Sequence, residues 1–411
     1  MTDEISNASM VVKRLLSASA FAKAVLILDE EHDRIVDDAI KLAEIPAPPF
    51  EEAEKAKFYL DQLKAHGLRD VEMDAEGNVM GMRKGAGGGE GPFLVISAHL
   101  DTVFPKGTDV RVRREGSKLF GPGIGDDTYS LALLLGYLRA MDGSGIATKS
   151  DILFVGTVGE EGPGDLRGVR HLFTSGKYAG RIDGFLSVDG FEPARLVNGA
   201  VGSKRYRVTF NGPGGHSYHA FGAVNPIAAM SQAVVDFYKI EVPAKPKTTY
   251  AASVTSGGTV INAIPESAVM EFDMRSEEPA ALAALEKEFL SVIARAVETE
   301  NAARSTKAGL VKAEIAPIGD RPAGKTDIKG RLVALAAASL AAHGFQAEFS
   351  YSSTDANIPM SLGIPALTIG SGVVGGRTHS LEEWIDVAKP GALLGMVAGF
   401  TIFMAAAGFE S

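Results

Sequence analysis

The chain reads as an α/β protein, a mostly parallel sheet flanked by helices, into which a smaller α+β domain is inserted. Three observations predict this. Continuous apolar runs at 93–100 (FLVISAHL), 151–159 (DILFVGTVG) and 184–190 (GFLSVDG) have the character of strands buried on both faces. They alternate with helical patterns such as SLALLLGYLRAM at 130–141, the mark of a parallel sheet covered by helices. Near residue 201 the pattern changes, because KRYRVTFNG alternates in period two, as a half-exposed antiparallel strand does. At 411 residues the chain exceeds what one core accommodates, so two domains are expected.

Taken in order, residues 1–30 form an N-terminal extension. Lys13 and Arg14 precede the run from Leu15 to Leu28, but Asp3 and Glu4 come first and Lys23 interrupts it, unlike a secretory signal. HDRIVDDAIKLAEI and FEEAEKAKFYLDQLKAHG are amphipathic helices split by the breaker PAPP, with Gly67 capping the second. VEMDAEGNVMGMRKG is a hairpin turning at Glu76-Gly77-Asn78. GAGGGEG (85–91) is a surface turn, and no Lys-Ser/Thr follows it to make a phosphate loop. After the three apolar strands, a β-α-β-β-α order spans 201–316: KRYRVTFNG, PIAAMSQAVVDFYK, TTYAASVTSGG, SAVMEFDMRS and ALAALEKEFLSVIARAVETENA. The larger domain (1–200) resumes over 317–411 with the helix GRLVALAAASLAAHG, the segment FSYSSTDANIPMSLGIPALTIGSG, His379 and a C-terminal helix.

Composition narrows the function. Hydrophobic content of 45% with 22% charged residues describes a soluble globular protein. A net charge of -10 without a basic stripe argues against a nucleic-acid partner. No uninterrupted run of about 18 apolar residues calls for a membrane span. Cysteine is absent, so any metal ligands must be His, Asp or Glu, which suits a reducing, cytoplasmic setting.

Five clusters of such residues follow strand ends or glycine turns: His99 with Asp101, Asp126 with Asp127, Glu160 with Glu161, Asp189, and His379. As an ordered set they read as a two-metal hydrolytic site. Residues two apart in a strand share a face, so the Asp101 carboxylate can stand beside the His99 ring and fix its tautomer. Asp126 and Asp127 open a helix, where they either cap its N-terminus or bridge two metals. Of Glu160 and Glu161, one can ligate a metal while the other takes a proton from water. His216, in NGPGGHSYHAFG, is either a donor to an oxyanion or a residue of an exposed turn. Arg275 suits a substrate carboxylate, although surface arginines are common. His32, His66, His171 and His343 fall on helical patterns as surface or structural residues.

These motifs resemble the dinuclear zinc exopeptidases that include aminoacylase, carboxypeptidase G, peptidase T and succinyl-diaminopimelate desuccinylase. AHLDTV, GPGIGDD, GEEG, GGHS, NAIP with DMRS, and THS occur in that family's order across roughly 33–405. The resemblance implies that His99, Asp126 and Asp189 bind one Zn2+, while Asp126 bridges to a second held by Glu161 and His379. Mn2+ or Co2+ are possible substitutes. It further implies Glu160 as general base, Asp101 as the residue orienting His99, and Asp127 as support for the bridge through a cis Asp126–Asp127 bond. His216, Asn262 and Arg275 match substrate contacts on a lid domain, through which a homodimer forms. Asp189, where deacylases carry Glu, is similar to the peptidase T side. Thr128, Tyr129 and Ser130 depart from the family's Lys-x-Gly, and residues 353–357 fit it loosely. The expected activity is metal-dependent hydrolysis of short peptides. The alternatives are an N-acyl-amino-acid deacylase or carboxypeptidase-like amidohydrolase and, in another class, a non-catalytic binding module on the same fold.

Overall fold

A computed structural model describes residues 2–87 and 93–410, and divides the chain into two compact units. One comprises Met1–Ala200 with Lys325–Ser411; the other is Val201–Gly324. Part of the glycine turn at 85–91 therefore lies outside the described residues.

The larger unit is built on strands β1 (Arg69–Met73), β2 (Val79–Arg83), β3 (Phe93–His99), β4 (Ile152–Thr157), β5 (Ile182–Val188), β6 (Arg195–Ala200), β7 (Glu348–Ser352) and β8 (Ala366–Ile369). The sheet runs β1-β2-β4-β3-β5-β8-β6, with β7 also on β6. β4, β3, β5 and β8 are mutually parallel. Every residue of β3 and β4 is buried, as their unbroken apolar sequences require. Antiparallel pairing is confined to the flanks, where the β1–β2 hairpin adds to β4 and β6 lies against β8. Asp74 closes that hairpin by accepting from the amides of Glu76, Gly77 and Asn78 at 2.9–3.0 Å.

The segment expected as an N-terminal extension of the larger domain packs into that unit's core over its described residues. Helices Thr2–Leu16 and Ser19–Glu30 bury Val12, Leu15, Phe21, Ala24 and Leu28 in the principal core. Phe21 stacks on Phe400 with ring centroids 5.7 Å apart. The run from Leu15 to Leu28 is apolar because it faces this core, and it is broken at Ala18, whose backbone is extended. Contrary to the expectation that no apolar run is long enough to span a membrane, the C-terminal helix Lys389–Ala407 is long and apolar enough by length and composition, yet it is mostly buried inside the unit. Its Phe400 and Phe403 pack on Tyr137 at 5.1 and 6.0 Å.

The smaller unit has a four-stranded antiparallel sheet, ordered Thr248–Gly257, Ser267–Ser276, Gly202–Asn211, Lys312–Arg321. Helices Pro226–Phe237 and Pro279–Ala303 cover it, and Phe237, Phe272 and Phe289 meet in its core. The strand Lys312–Arg321 completes this sheet, so the unit ends at 324 and not at 316. Its alternation is weak to the eye because Pro317 and Gly319 interrupt it beside a register shift.

Phe21→Ala is expected to destabilise the larger unit by about 3–5 kcal/mol, seen as a lower urea midpoint. An unchanged midpoint would make the N-terminal helices dispensable.

Candidate metal centre

Parallel strands end on one edge of a sheet, and side chains just beyond those ends converge there. His99 is the last residue of β3; Glu160 and Glu161 follow β4; Asp189 follows β5. Asp126 and Asp127 lie on the glycine-rich loop leading into helix Tyr129–Ser144, and the peptide bond joining them is cis. His379 sits between the short strands Val374–Gly376 and Trp384–Asp386, in the left-handed region at φ 60. A non-glycine residue held there costs free energy, which marks a position the surroundings over-determine.

Asp126 is the meeting point. Its Oδ1 lies 3.0 Å from His99 Nε2, and its Oδ2 lies 3.2 Å from His379 Nε2. His379 Nε2 also approaches Glu161 Oε1 at 3.0 Å. Ligand atoms of His99, Asp126 and Asp189 fall within 4.8 Å of one another, as do those of Asp126, Glu161 and His379. Two overlapping donor sets that share one carboxylate fit a pair of divalent cations. Imidazole and carboxylate without thiolate suit zinc, and equally manganese or cobalt. A third grouping, His99 with Glu160 and Glu161, places Glu160 at the same centre.

The neighbouring acids hold backbone. His99 Nδ1 lies 2.9 Å from the main-chain carbonyl of Asp101, whereas the Asp101 carboxylate is 3.8 Å away. Donation to that carbonyl leaves Nε2 as the ligating nitrogen. The tautomer is thus set by the peptide at 101 and not by its side chain, because the chain leaves the strand after His99. The freed carboxylate accepts from the amides of Glu160 and Glu161 at 3.0 and 2.8 Å. Asp127 accepts from the amide of His99 at 3.0 Å.

Burial dominates the electrostatics. It pushes the Asp189 carboxyl up to about 7, with the charge on Asp126 adding to the effect. Burial likewise raises Asp127 well above the usual carboxylate range. Burial also works to raise the part-buried Asp126, yet hydrogen bonds from His379 and His99 hold it low. The Asp126 and Glu161 carboxylates hold the His379 imidazolium up to about 10. Burial opposes charge on His99, but Asp126 and the other carboxylates prevail and raise it well above 6.5. Gathering this much negative charge is costly unless cations or protons compensate it.

His216, Asn262 and Arg275 belong to the smaller unit. His216 and Asn262 line one groove of about 670 Å³, and Gly215–His216 pairs with Ala263–Ile264 as a short strand where the glycines suggested a loop. Arg275 stands apart from that groove, with Nε 2.7 Å from Asp273. Of the four histidines placed on helical patterns, His32 and His171 lie in helices, whereas His66 and His343 lie in turns just past a helix end, His66 3.0 Å from Asp142 and His343 2.8 Å from Thr401.

Among the buried ionisable residues that the sequence did not single out, two lie beside the centre, Lys55 and Glu383. Lys55, 1% exposed, has its ammonium lowered to about 8 by burial against the pull of Asp101 and Asp127. Its one signal is its place on the apolar stripe of its helix with Tyr59 and Leu63. Glu383 is fully buried, and burial raises its carboxyl to about 7. It lies three residues beyond the THS motif, beside an exposed Glu382, where the sequence distinguishes neither from a solvated pair.

The family model described as Peptidase family M20/M25/M40 matches residues 95–401. The chain belongs to this peptidase family. Among curated relatives, a LysW-lysine/LysW-ornithine hydrolase of Pyrococcus abyssi is 36% identical over 31% of this chain and 34% of its own. Carboxypeptidase G2 of a Pseudomonas species is 31% identical over 48% of this chain and 47% of its own. The chain thus spans a third to a half of the length of these relatives. Among solved structures, aminopeptidase PepT of Bacillus cereus aligns over 91% of this chain and 99% of its own, at 19% identity and a TM-score of 0.72. At that identity the likeness speaks for the fold: the α/β layer and the inserted unit are those of this peptidase family.

Ligation requires unprotonated imidazole, so metal binding must displace the protons that the carboxylates hold on His99 and His379. In the metal-free protein, the stabilisation from the charged His379 pair is full below pH 6.5 and is lost as pH rises through about 10. Metal affinity moves the opposite way and should increase over that window. Zinc titration calorimetry near pH 7 in buffers of different ionisation enthalpy should show net proton release. Heats independent of buffer would contradict these proton assignments.

Proposed function

We propose that the chain is a metal-dependent exopeptidase that hydrolyses peptide bonds of short peptides. His99, Asp126 and Asp189 would hold one zinc, and Asp126, Glu161 and His379 the other. The observation that supports this most is the Asp126 carboxylate, with one oxygen toward each imidazole at 3.0 and 3.2 Å. When bound, such cations supply Lewis acidity toward a carbonyl and make water easier to deprotonate.

The residues have the following parts in the proposal. Glu160, 5% exposed and with its amide fixed on Asp101, takes the proton from the attacking water and passes it to the leaving amine. Asp101 positions the Glu160–Glu161 backbone and, through its carbonyl, the His99 ring. Asp127 supports the strand end at His99. His216 as oxyanion donor, with Asn262 and Arg275 as substrate contacts, enters on motif position alone. Asp189 favours a free amino terminus over an acylated one by its likeness to the peptidase T side. A second reading, a carboxypeptidase-like amidohydrolase or N-acyl-amino-acid deacylase, draws on the similarity to carboxypeptidase G2. A non-catalytic module is disfavoured by the intact Glu160.

A homodimer through the smaller unit is supported by its exposed apolar residues Tyr218, Phe221, Val260 and Ile261. Light scattering should then give twice the 43.1 kDa chain mass. A cytoplasmic setting is supported by the absence of cysteine.

Glu160→Ala should retain both metals by elemental analysis and lose about 10²–10⁴-fold in turnover. Near-normal turnover would remove Glu160 from the mechanism. A free tripeptide should be cleaved in preference to its N-acetylated counterpart; the reverse preference favours the deacylase reading.

A further inference from the structure

The two segments that face each other across Asp126 and His379 are far apart in sequence, so something must hold one to the other. Glu383, four residues beyond His379, does this with its side chain and its backbone. Its carboxylate accepts from the amides of Gly123 at 3.2 Å, Gly125 at 2.8 Å and Asp126 at 2.9 Å. Its carbonyl accepts from the amide of Gly121 at 3.0 Å. Immediately after it, Trp384–Asp386 pairs with Lys118–Phe120 and brings the same two segments together as strands.

The loop is shaped to admit this carboxylate. Gly123 is left-handed at φ 73, and a Cβ on Gly125 would lie 2.8 Å from Ile385 and 3.4 Å from Glu383 Oε1. Buried amides without acceptors are costly, so one carboxyl group whose two oxygens collect three of them fixes the loop strongly. One of the three belongs to Asp126 itself, and only its own backbone separates that amide from the shared carboxylate.

We propose that Glu383 is a positioning residue for the metal centre, holding the Asp126 loop at the distance from His379 that allows one carboxylate to serve both metals. This rests on the two-metal reading above. Glu383 acts through Asp126 and not on substrate. Its role is therefore to set metal affinity, and removing it should act on the cations before it acts on folding.

The test uses the full chain as wild type, Glu383→Gln and Asp126→Asn, titrated with zinc against a chromophoric chelator. Thermal unfolding is followed in parallel with metal removed. Glu383→Gln retains one acceptor oxygen and the side-chain volume but loses the charge. It should weaken zinc binding by about 10–100-fold, with metal-free unfolding shifted little and turnover restored by excess zinc. Undiminished zinc affinity overturns the proposal, whether or not the metal-free protein is destabilised, since the residue would then be at most a fold anchor. Should Glu383→Gln fail to fold, Glu383→Asp, which retains the charge at shorter reach, is judged by the same criterion. Wild-type protein that binds no zinc, unaltered by Asp126→Asn, would sink the two-metal reading and this proposal with it. Wild-type uptake of two equivalents with no effect at Glu383 would sink the proposal alone.

Discussion

The Asp126 carboxylate shared between two imidazoles is the constraint around which the larger unit is arranged. His99 Nε2 and His379 Nε2 approach different oxygens of one side chain, and those oxygens cannot move independently. The ends of β3, β4 and β5 and the loop bearing His379 must therefore be in place together. A rigid sheet of parallel buried strands provides this, because neighbouring strands in register end at the same edge.

Around that centre, the acids divide into those that face the centre and those that hold backbone. Asp126 takes the imidazoles while Asp127 accepts from the amide of His99. Glu161 faces His379, and the amides of the Glu160–Glu161 pair are taken by Asp101. Glu383 accepts from the Asp126 loop while Glu382 stays exposed. Asp126–Asp127 and Glu382–Glu383 thus each place two neighbouring acids in different surroundings. Backbone hydrogen bonding explains why so many buried carboxylates are tolerated, since an amide satisfies an oxygen without requiring a counter-charge. Lys55, its ammonium lowered to about 8 by burial, adds positive charge within reach of Asp101 and Asp127.

The remainder of the larger unit packs into a shared core. Helices at both ends of the chain share one core, where Phe21, Tyr137, Phe400 and Phe403 pack together. The segment before residue 31 is as integral to that core as the C-terminal helix, whose apolar character is accounted for by burial.

Sequence by itself determined the α/β class, the β3, β4 and β5 strands and the presence of an inserted unit, because apolar run length and period are local properties, while the order of the motifs singled out the acids and histidines around Asp126. It did not determine the end of the inserted unit, since a strand interrupted by Pro317 and Gly319 is recognised only by its partner Gly202–Asn211. Nor did it show that residues 1–30 belong to the core, or that the Asp101 carbonyl and not its carboxylate meets the His99 ring. The work of Glu383 was invisible for the same reason. Its hydrogen-bond partners lie far away in the chain, and only the packed fold brings a side chain and those amides within 3.2 Å.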